Sequence, residues 1–377
     1  MAKKIYSYLY VDNHMYINSE ISLITLYYIL HKFTKPFPYF ERDTKYKIIN
    51  AMPVALKKNF IVLNFIKVFV EKKLLNKRKT ADQIASNTFG HCLLNLREGE
   101  VKIFNFTQKK VITIYPSSLP ESYVKEQMNI ANKAFRTGLG PKILSMNYSK
   151  KFVVEEYINF DRAKFSISQP TILNLKIISV LNQLTLTNNP YKVNLYSYKI
   201  TKKTSIETLL NNISKLNNCN LITLQKITEF CLNEISKIEK EYFVENIWFG
   251  LSHGDFWEGN ILLGKNNKIK VIDWNTLGNR NIYFDLYWMI FMTVHTSKHK
   301  YTVQEVSLLL EQCIKHFHHN LNLNDELLNK NIRLSIFFLD CIELKLQMIC
   351  NTRTSNFDDI ETWIERFNKF QQEYITN

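Results

Sequence analysis

Short segments with strand-like alternation lie mostly before residue 160, and longer segments with helical spacing lie mostly after it. Ile5–Val11 reads as a strand with tyrosines at alternate positions. His91–Leu96, Val101–Phe106 and Lys110–Tyr115 read as successive strands, the first two joined across Arg97-Glu98-Gly99-Glu100. Lys142–Tyr148 and Phe152–Ile158 form a hairpin across Ser149-Lys150-Lys151. Among these lie three helical patterns. Ile21–Phe33 has a start signal in Asn18-Ser19-Glu20 and a break at Lys35-Pro36-Phe37-Pro38. Lys57–Leu75 carries Asn64, Lys67 and Glu71 as one narrow polar stripe on an apolar cylinder. A helix through Glu121–Glu126 is closed by Gly138 and Gly140. The rest is mainly helical: Ile172–Leu186, Ser205–Leu216, Leu221–Phe243, Leu286–Val294, Val303–His319, Asn331–Met348 and Asp358–Gln372.

At 377 residues, with 46% hydrophobic and 13% aromatic content, the chain can bury a large core in two lobes or domains. It has no run of eighteen apolar residues, so no transmembrane helix is expected. Met1-Ala2-Lys3-Lys4-Ile5-Tyr6 lacks the apolar core of a secretory signal. The six cysteines are scattered, which points to buried free thiols and a cytoplasmic protein. Charge changes this picture. Residues 1–80 hold fifteen Lys/Arg against five Asp/Glu, a net +10 of the chain's +15. That imbalance suggests an anionic partner, a membrane surface or phosphorylated glycan before nucleic acid; solvated lysines are the plainer reading. Lys57–Leu75 correspondingly reads as a helix buried on the neighbouring lobe or, more sharply, as an interfacial helix with snorkelling lysines, peripheral to the inner face of a membrane.

The chemistry concentrates in His253-Gly254-Asp255-Phe256-Trp257-Glu258-Gly259-Asn260 and Val271-Ile272-Asp273-Trp274. Phosphoryl transfer needs a carboxylate to orient the attacking hydroxyl and oxygen ligands to hold Mg²⁺ against nucleotide phosphates. Asp255 suits the first task, and Asn260 and Asp273 the second. Ile261–Leu263 and Ile269–Ile272 flank the turn Gly264-Lys265-Asn266-Asn267-Lys268, a hairpin that returns Asp273 toward Asp255.

These residues resemble the superfamily that includes aminoglycoside phosphotransferases and choline/ethanolamine kinases, which carry H-x-D-x-x-x-x-N followed by I-D-[WF]. Gly254 where protein kinases have Arg, and Trp274 after the metal aspartate, favour the small-molecule branch. Glu258-Gly259-Asn260 and Leu139-Gly140-Pro141-Lys142 are similar to choline-kinase-like sequences. The resemblance covers roughly residues 86–300. It implies a two-lobed, protein-kinase-like α+β fold: a basic N-terminal extension (1–85), an antiparallel small lobe (86–158) and a helical large lobe (159–377). It implies ATP and Mg²⁺ bound between lobes, and phosphate transfer to a hydroxyl of a small molecule, amino alcohol, sugar or lipid-linked glycan. Asp255 would be catalytic, Asn260 and Asp273 metal-binding, and His253 and Asp285 would brace the loop. Gly99, Glu126 and the backbone of Glu156, Tyr157 and Ile158 would contact nucleotide.

The chain departs from that pattern in places. Gly99 is the sole glycine of a short phosphate loop, with Ser86-Asn87-Thr88-Phe89-Gly90 as a second candidate. Thr113 stands where the third strand should carry Lys or Arg, leaving Lys102, Lys109 or Lys125 to supply the cation. Asn275 replaces a glutamate of choline-kinase-like sequences. These losses keep a nucleotide-binding pseudokinase or scaffold as the competing class. Trp248, Trp257, Trp288, Trp363 and Tyr287 invite an aromatic cage, although aromatics at helical spacing usually build core. His316, His318 and His319 do not converge for zinc on one helix. There is no P-loop motif and no nucleophile elbow.

Overall fold

The computed structural model of the chain describes residues 4–12, 14–33, 52–77, 82–96, 99–163, 172–216, 220–239, 246–296, 300–323, 327–352 and 358–372. Two units are present, one of residues 1–135, 141–161 and 263–270, the other of 136–140, 162–262 and 271–377. An antiparallel sheet dominates the first and helices dominate the second, the mixed architecture that the hydrophobic pattern predicts.

The first unit is built on β1 (Tyr6–Asp12), β2 (Met15–Asn18), β3 (Gln83–Ser86), β4 (Cys92–Asn95), β5 (Val101–Asn105), β6 (Lys110–Ile114), β7 (Ile143–Asn147) and β8 (Phe152–Glu156), in the order β3-β1-β2-β4-β5-β6-β8-β7. Tyr16 pairs with Tyr10 on one side and Leu93 on the other, so the strands of the first 85 residues share one ladder with those that follow. β2 escapes the sequence pattern because all four of its residues are buried, which erases the alternation.

Helix α1 (Leu23–Lys32) begins later than Asn18-Ser19-Glu20 suggests. Ser22 caps it by accepting from the Thr25 N–H, while Asn18 ends β2 and its Nδ2 donates to the Gly90 carbonyl. Helix α2 (Val54–Lys77) buries Val62, Phe65 and Phe69 with Leu26, Ile29 and Leu30 of α1 against Leu9, Ile17, Cys92 and Phe104 of the sheet. Its other side exposes the expected stripe of Asn64, Lys67 and Glu71, together with Leu56, Phe60 and Leu63. Helix α3 (Glu121–Arg136) packs Val124 and Met128 on Tyr115 and Val153. The break at Lys35-Pro36-Phe37-Pro38 and the loop residues Arg97 and Glu98 lie outside the described residues.

The second unit carries helices α4 (Ile172–Leu186), α5 (Leu195–Ser214), α6 (Leu221–Glu239), α7 (Phe284–Thr296), α8 (Val303–Asn320), α9 (Lys330–Thr352) and α10 (Asp358–Phe370). β10 (Tyr191–Asn194), β11 (Asn246–Ser252) and β14 (Gly278–Asn281) form a sheet in the order β10-β11-β14. β9 (Asp161–Arg162), β12 (Ile261–Leu263) and β13 (Ile269–Val271) pair in the order β13-β12-β9. Helix α5 starts ten residues before Ser205, with Asn194 accepting from the Ser197 N–H as its cap. The apolar periodicity hides this start because Lys202 occupies a core position. It is 8% exposed, pairs with Asp340 Oδ1 at 2.7 Å and with Glu343, and lies beside Tyr198. Helix α9 packs against α5, α6, α7 and α10. Phe337 and Phe338 of α9 meet Phe291 of α7 and Phe367 of α10, all at most 1% exposed.

Among the described residues no helix is long and apolar enough to cross a membrane. Cys92, Cys231, Cys313 and Cys341 are buried free thiols and Cys350 is half-buried; Cys219 lies outside the described residues.

Candidate active site

β11 delivers the chain into His253-Gly254-Asp255. The turn needs glycine at its centre. Gly254 has φ +82°, and a Cβ there would lie 2.5 Å from the Thr276 carbonyl oxygen and 2.9 Å from Arg280 Nη1. Asp285, in the first turn of α7, accepts the N–H of His253 on Oδ2 at 2.7 Å and that of Gly254 on Oδ1 at 2.9 Å. One carboxylate thus holds two consecutive amides of the loop, a geometry that leaves little freedom to the residue that follows.

His253 is fully buried, and burial pushes its imidazole down to about 4. The Asp255 N–H donates to Nδ1 at 3.2 Å, so Nδ1 carries no proton; Nε2 then donates to the Ile272 carbonyl at 3.1 Å. The ring is a neutral strut linking the Asp255 backbone to the residue before Asp273. Its face packs on Trp274, with centroids 4.6 Å apart, and Trp274 Nε1 donates to the Val271 carbonyl at 2.8 Å.

Asp255 has a separate donor on each carboxylate oxygen. Asn260 Nδ2 donates to Oδ2 at 2.9 Å and also to the Asp255 carbonyl at 2.9 Å. Both partners are acceptors, so the amide nitrogen must face them and Asn260 Oδ1 is turned away. Trp288 Nε1 donates to Oδ1 at 3.0 Å. Burial, and then the charge of Asp273, pushes the Asp255 carboxyl up to about 6, against the opposing effects of Lys345, Trp288 and Asn260. It is therefore ionised but basic at neutral pH.

The hairpin forms as its sequence suggests. Gly264 N–H donates to the Lys268 carbonyl at 2.7 Å, and Asn266 takes the left-handed conformation at φ +58°. Ile272 N–H donates to the Asn260 carbonyl at 3.0 Å, tying the end of the His253–Asn260 loop to the residue before Asp273. Asp273 also has positive φ, +67°, a conformation that aspartate tolerates better than most residues. Among the described residues no group of three or more His, Cys, Asp and Glu could hold a metal. The charge of Asp273 acts on Asp255, and Asp273 and Asn260 carry hard oxygen atoms of the kind a small divalent cation takes, with waters completing its shell.

Three features escaped the sequence reading. Trp288 acts as a hydrogen-bond donor to Asp255; its place three residues after Asp285, on the same helix face, was the available signal. Arg280 sits behind the loop with Nη1 buried and unpartnered, while its charge acts on Asp285. The charge of Lys345 on α9 acts on Asp255 across ninety residues of sequence, with no local signature. Of the proposed cage aromatics, Trp288 and Trp363 stack at 5.2 Å. Tyr287 is buried and accepts from Arg333 Nε at 3.3 Å, and Trp248 packs with Lys192. His318 Nδ1 is bonded to Tyr283 Oη at 2.6 Å and His316 to Asn320.

The residues suggested for nucleotide contact belong to the first unit. Gly99 has φ +84° and donates to the Leu96 carbonyl. The N–H groups of Glu156 and Tyr157 are already taken by the carbonyls of Lys142 and Lys109, and Ile158 follows half-buried. Glu126 is exposed on α3, and the buried polar residue beside it is Gln127, at 7% exposure. Thr113 pairs directly with Lys102 across β5 and β6, which puts that lysine on the same sheet face as the missing strand cation. In the alternative phosphate segment, the Thr88 and Gly90 carbonyls accept from Tyr8 Oη and Asn18 Nδ2.

Residues 245–303 match the model of the phosphotransferase enzyme family, APH. No curated protein sequence matches the chain. Its structure is similar to that of choline kinase LicA from Streptococcus pneumoniae, at 10% identity and a TM-score of 0.45 over 72% of this chain and 89% of that one. It is also similar to an ethanolamine kinase of Plasmodium vivax, at 16% identity and a TM-score of 0.46 over 74% of this chain and 80% of that one. A third similar structure is an aminoglycoside-3'-phosphotransferase of type VIII, at 10% identity and a TM-score of 0.40 over 65% and 88%. The matched segment contains His253, Asp255, Asn260, Asp273 and Asp285, and over that segment the chain is similar to the phosphotransferase enzyme family.

Proposed function

We propose that this chain is an ATP- and Mg²⁺-dependent phosphotransferase acting on a hydroxyl of a small molecule. The observation that carries the reading is the Asp255 carboxylate, raised to about 6 and fixed by one donor on each oxygen, within a segment that matches the phosphotransferase enzyme family. Asp255 orients the acceptor hydroxyl. The acceptor oxygen bonds to the γ-phosphorus of ATP as the bond from that phosphorus to the leaving ADP breaks, and the hydroxyl proton passes to Asp255. A base near neutral pKa is well matched to such a transfer at neutral pH. Asn260 Oδ1 and Asp273 would hold the magnesium ion, which neutralises charge on the phosphates. His253 and Asp285 hold the loop so that Asp255 need not reorganise, and positioning of this kind supplies much of the rate in phosphoryl transfer.

For the nucleotide, the reading assigns Gly99 and the backbone of Glu156, Tyr157 and Ile158, apart from the Glu156 and Tyr157 N–H groups that Lys142 and Lys109 hold, with Lys102 in place of the absent strand lysine. The exposed Glu126 and the threonine at 113 favour a second reading, a nucleotide-binding protein without efficient turnover. One experiment separates the two. Thermal-shift titration with ATP, with and without Mg²⁺, is followed by an ATP-consumption screen across alcohols. Stabilisation by Mg·ATP with acceptor-dependent ADP release supports the enzyme; stabilisation without any release supports the scaffold; neither effect removes both.

A further inference from the structure

Asp255 divides its surroundings. Its Oδ2 faces Asn260, the amide assigned to the metal, and its Oδ1 faces the indole of Trp288. In an in-line displacement the carboxylate touches the attacking hydroxyl, while the metal attends the phosphates. The body of the acceptor must then extend to the side of Asp255 away from Asn260, the side where Trp288 stands.

That side has a definite chemistry. The Trp288 and Trp363 rings stack with centroids 5.2 Å apart and 19° between planes. Lys345 Nζ lies over both, 4.9 Å from the Trp363 centroid and 5.9 Å from that of Trp288. The Arg366 guanidinium carbon lies 5.4 Å from the Trp363 ring. The aromatic pair is thus engaged by itself and by two protein cations. A quaternary ammonium or amino-sugar acceptor would find these rings already in cation–π contact, and it would bring a like charge close to Lys345 in a partly desolvated place. An anionic group would instead find a positive partner there. The half-buried stem of Lys345 on α9 presents the ammonium at a fixed height above the ring stack.

We infer that the acceptor is an alcohol bearing an anionic group, a carboxylate or a phosphate, with that anion on Lys345 and its carbon skeleton against the half-buried Trp363, which the buried Trp288 backs. The inference rests on the phosphotransferase reading and narrows its substrate class. Such an acceptor is opposite in charge to choline and aminoglycosides, which are cationic.

The test uses the full chain. Mg·ATP thermal shift comes first, because absence of any nucleotide stabilisation defeats the phosphotransferase reading itself. Given stabilisation, glycerate, glycerol 3-phosphate, glycerol, choline and ethanolamine are compared at equal concentration. Preference is read as the rate of ADP formation and as added stabilisation over a non-hydrolysable ATP analogue with Mg²⁺. The expected order places one or both anionic alcohols at least tenfold above choline in rate, or as the larger added shift. Glycerate against glycerol 3-phosphate tells carboxylate from phosphate. Choline or ethanolamine equal to or better than both anionic alcohols overturns the inference while leaving the kinase intact. K345Q should raise the KM for the preferred anionic alcohol at least tenfold, relative to any change in the KM for ATP, and K345R should restore most of it. An unchanged acceptor KM in a K345Q protein that melts like the wild type also overturns it.

Discussion

Trp288 Nε1 donates to Asp255 Oδ1 at 3.0 Å, so the proposed catalytic carboxylate is oriented by a residue on the helix that also carries its loop brace, Asp285. Loop and helix are therefore one mechanical piece. The indole bond also favours the ionised carboxylate, which couples position to basicity. Trp288→Phe keeps a ring in the stack but removes this donor. The expected result is a fall in kcat of roughly tenfold, less than the ~10²–10⁴-fold of a whole general base because the carboxylate itself remains, with the acid limb of the kcat/KM profile moving to higher pH. A profile with unshifted limb and unchanged kcat would show that the bond does neither.

Asp255 should cost stability to keep. Its folded-state pKa of about 6 lies above the ordinary 3.8, so the folded protein binds a proton more tightly than the unfolded chain between those values. The group's penalty is absent at low pH, grows as pH rises from 3.8 to 6, and is complete above 6, at roughly 2–3 kcal/mol. Asp255→Asn is expected to abolish most turnover yet melt higher than the wild type at pH 8, with that advantage vanishing at pH 4. Melting curves at the two pH values check the sign.

The buried His253 and the half-buried His295 should act in the opposite sense. Burial pushes His253 and His295 down to about 4, below the usual 6.5. Unfolded histidine takes up a proton as pH falls below 6.5 while these two stay neutral, so their contribution to stability is lost between 6.5 and 4. His295→Phe, away from the catalytic loop, is expected to reduce the loss of melting temperature between pH 7 and pH 5.

Gly254→Ala is expected to fail locally. The left-handed φ of +82° and a Cβ 2.5 Å from the Thr276 carbonyl oxygen each disfavour a side chain. Strain of about 1–3 kcal/mol follows from the backbone alone. The measurable outcome is a lower melting temperature with kcat reduced more than the KM for ATP, since the displaced residue is Asp255.

Lys202 offers a test of core electrostatics away from the chemistry. Its ammonium pairs with Asp340, whose Oδ2 has no partner, and with Glu343. Lys202→Met leaves buried carboxylates uncompensated and should cost about 3–5 kcal/mol. Lys202→Met combined with Asp340→Leu should recover much of that loss. Denaturant titration of both variants measures it.

The loop His253–Asn260, the hairpin at Gly264–Lys268 and the aspartate pair at 255 and 273 could be read from the chain because their chemistry is local. A left-handed turn favours glycine and a reversal favours Gly or Asn, and Asp255 and Asn260 stand only five positions apart in one loop. Helices α8 and α10 were legible for a similar reason, since each needs only its own periodicity. Where burial is uniform, as in Met15–Asn18, or a charged residue sits in the core, as Lys202 does in α5, the pattern carries no information about the element. Trp288 on Asp255 and Lys345 over two indoles are contacts chosen by packing between segments far apart in the chain. No spacing rule reaches across them. The linear order of residues therefore decided which groups are candidates for chemistry, and the folded chain alone decided which partners set their charge and orientation.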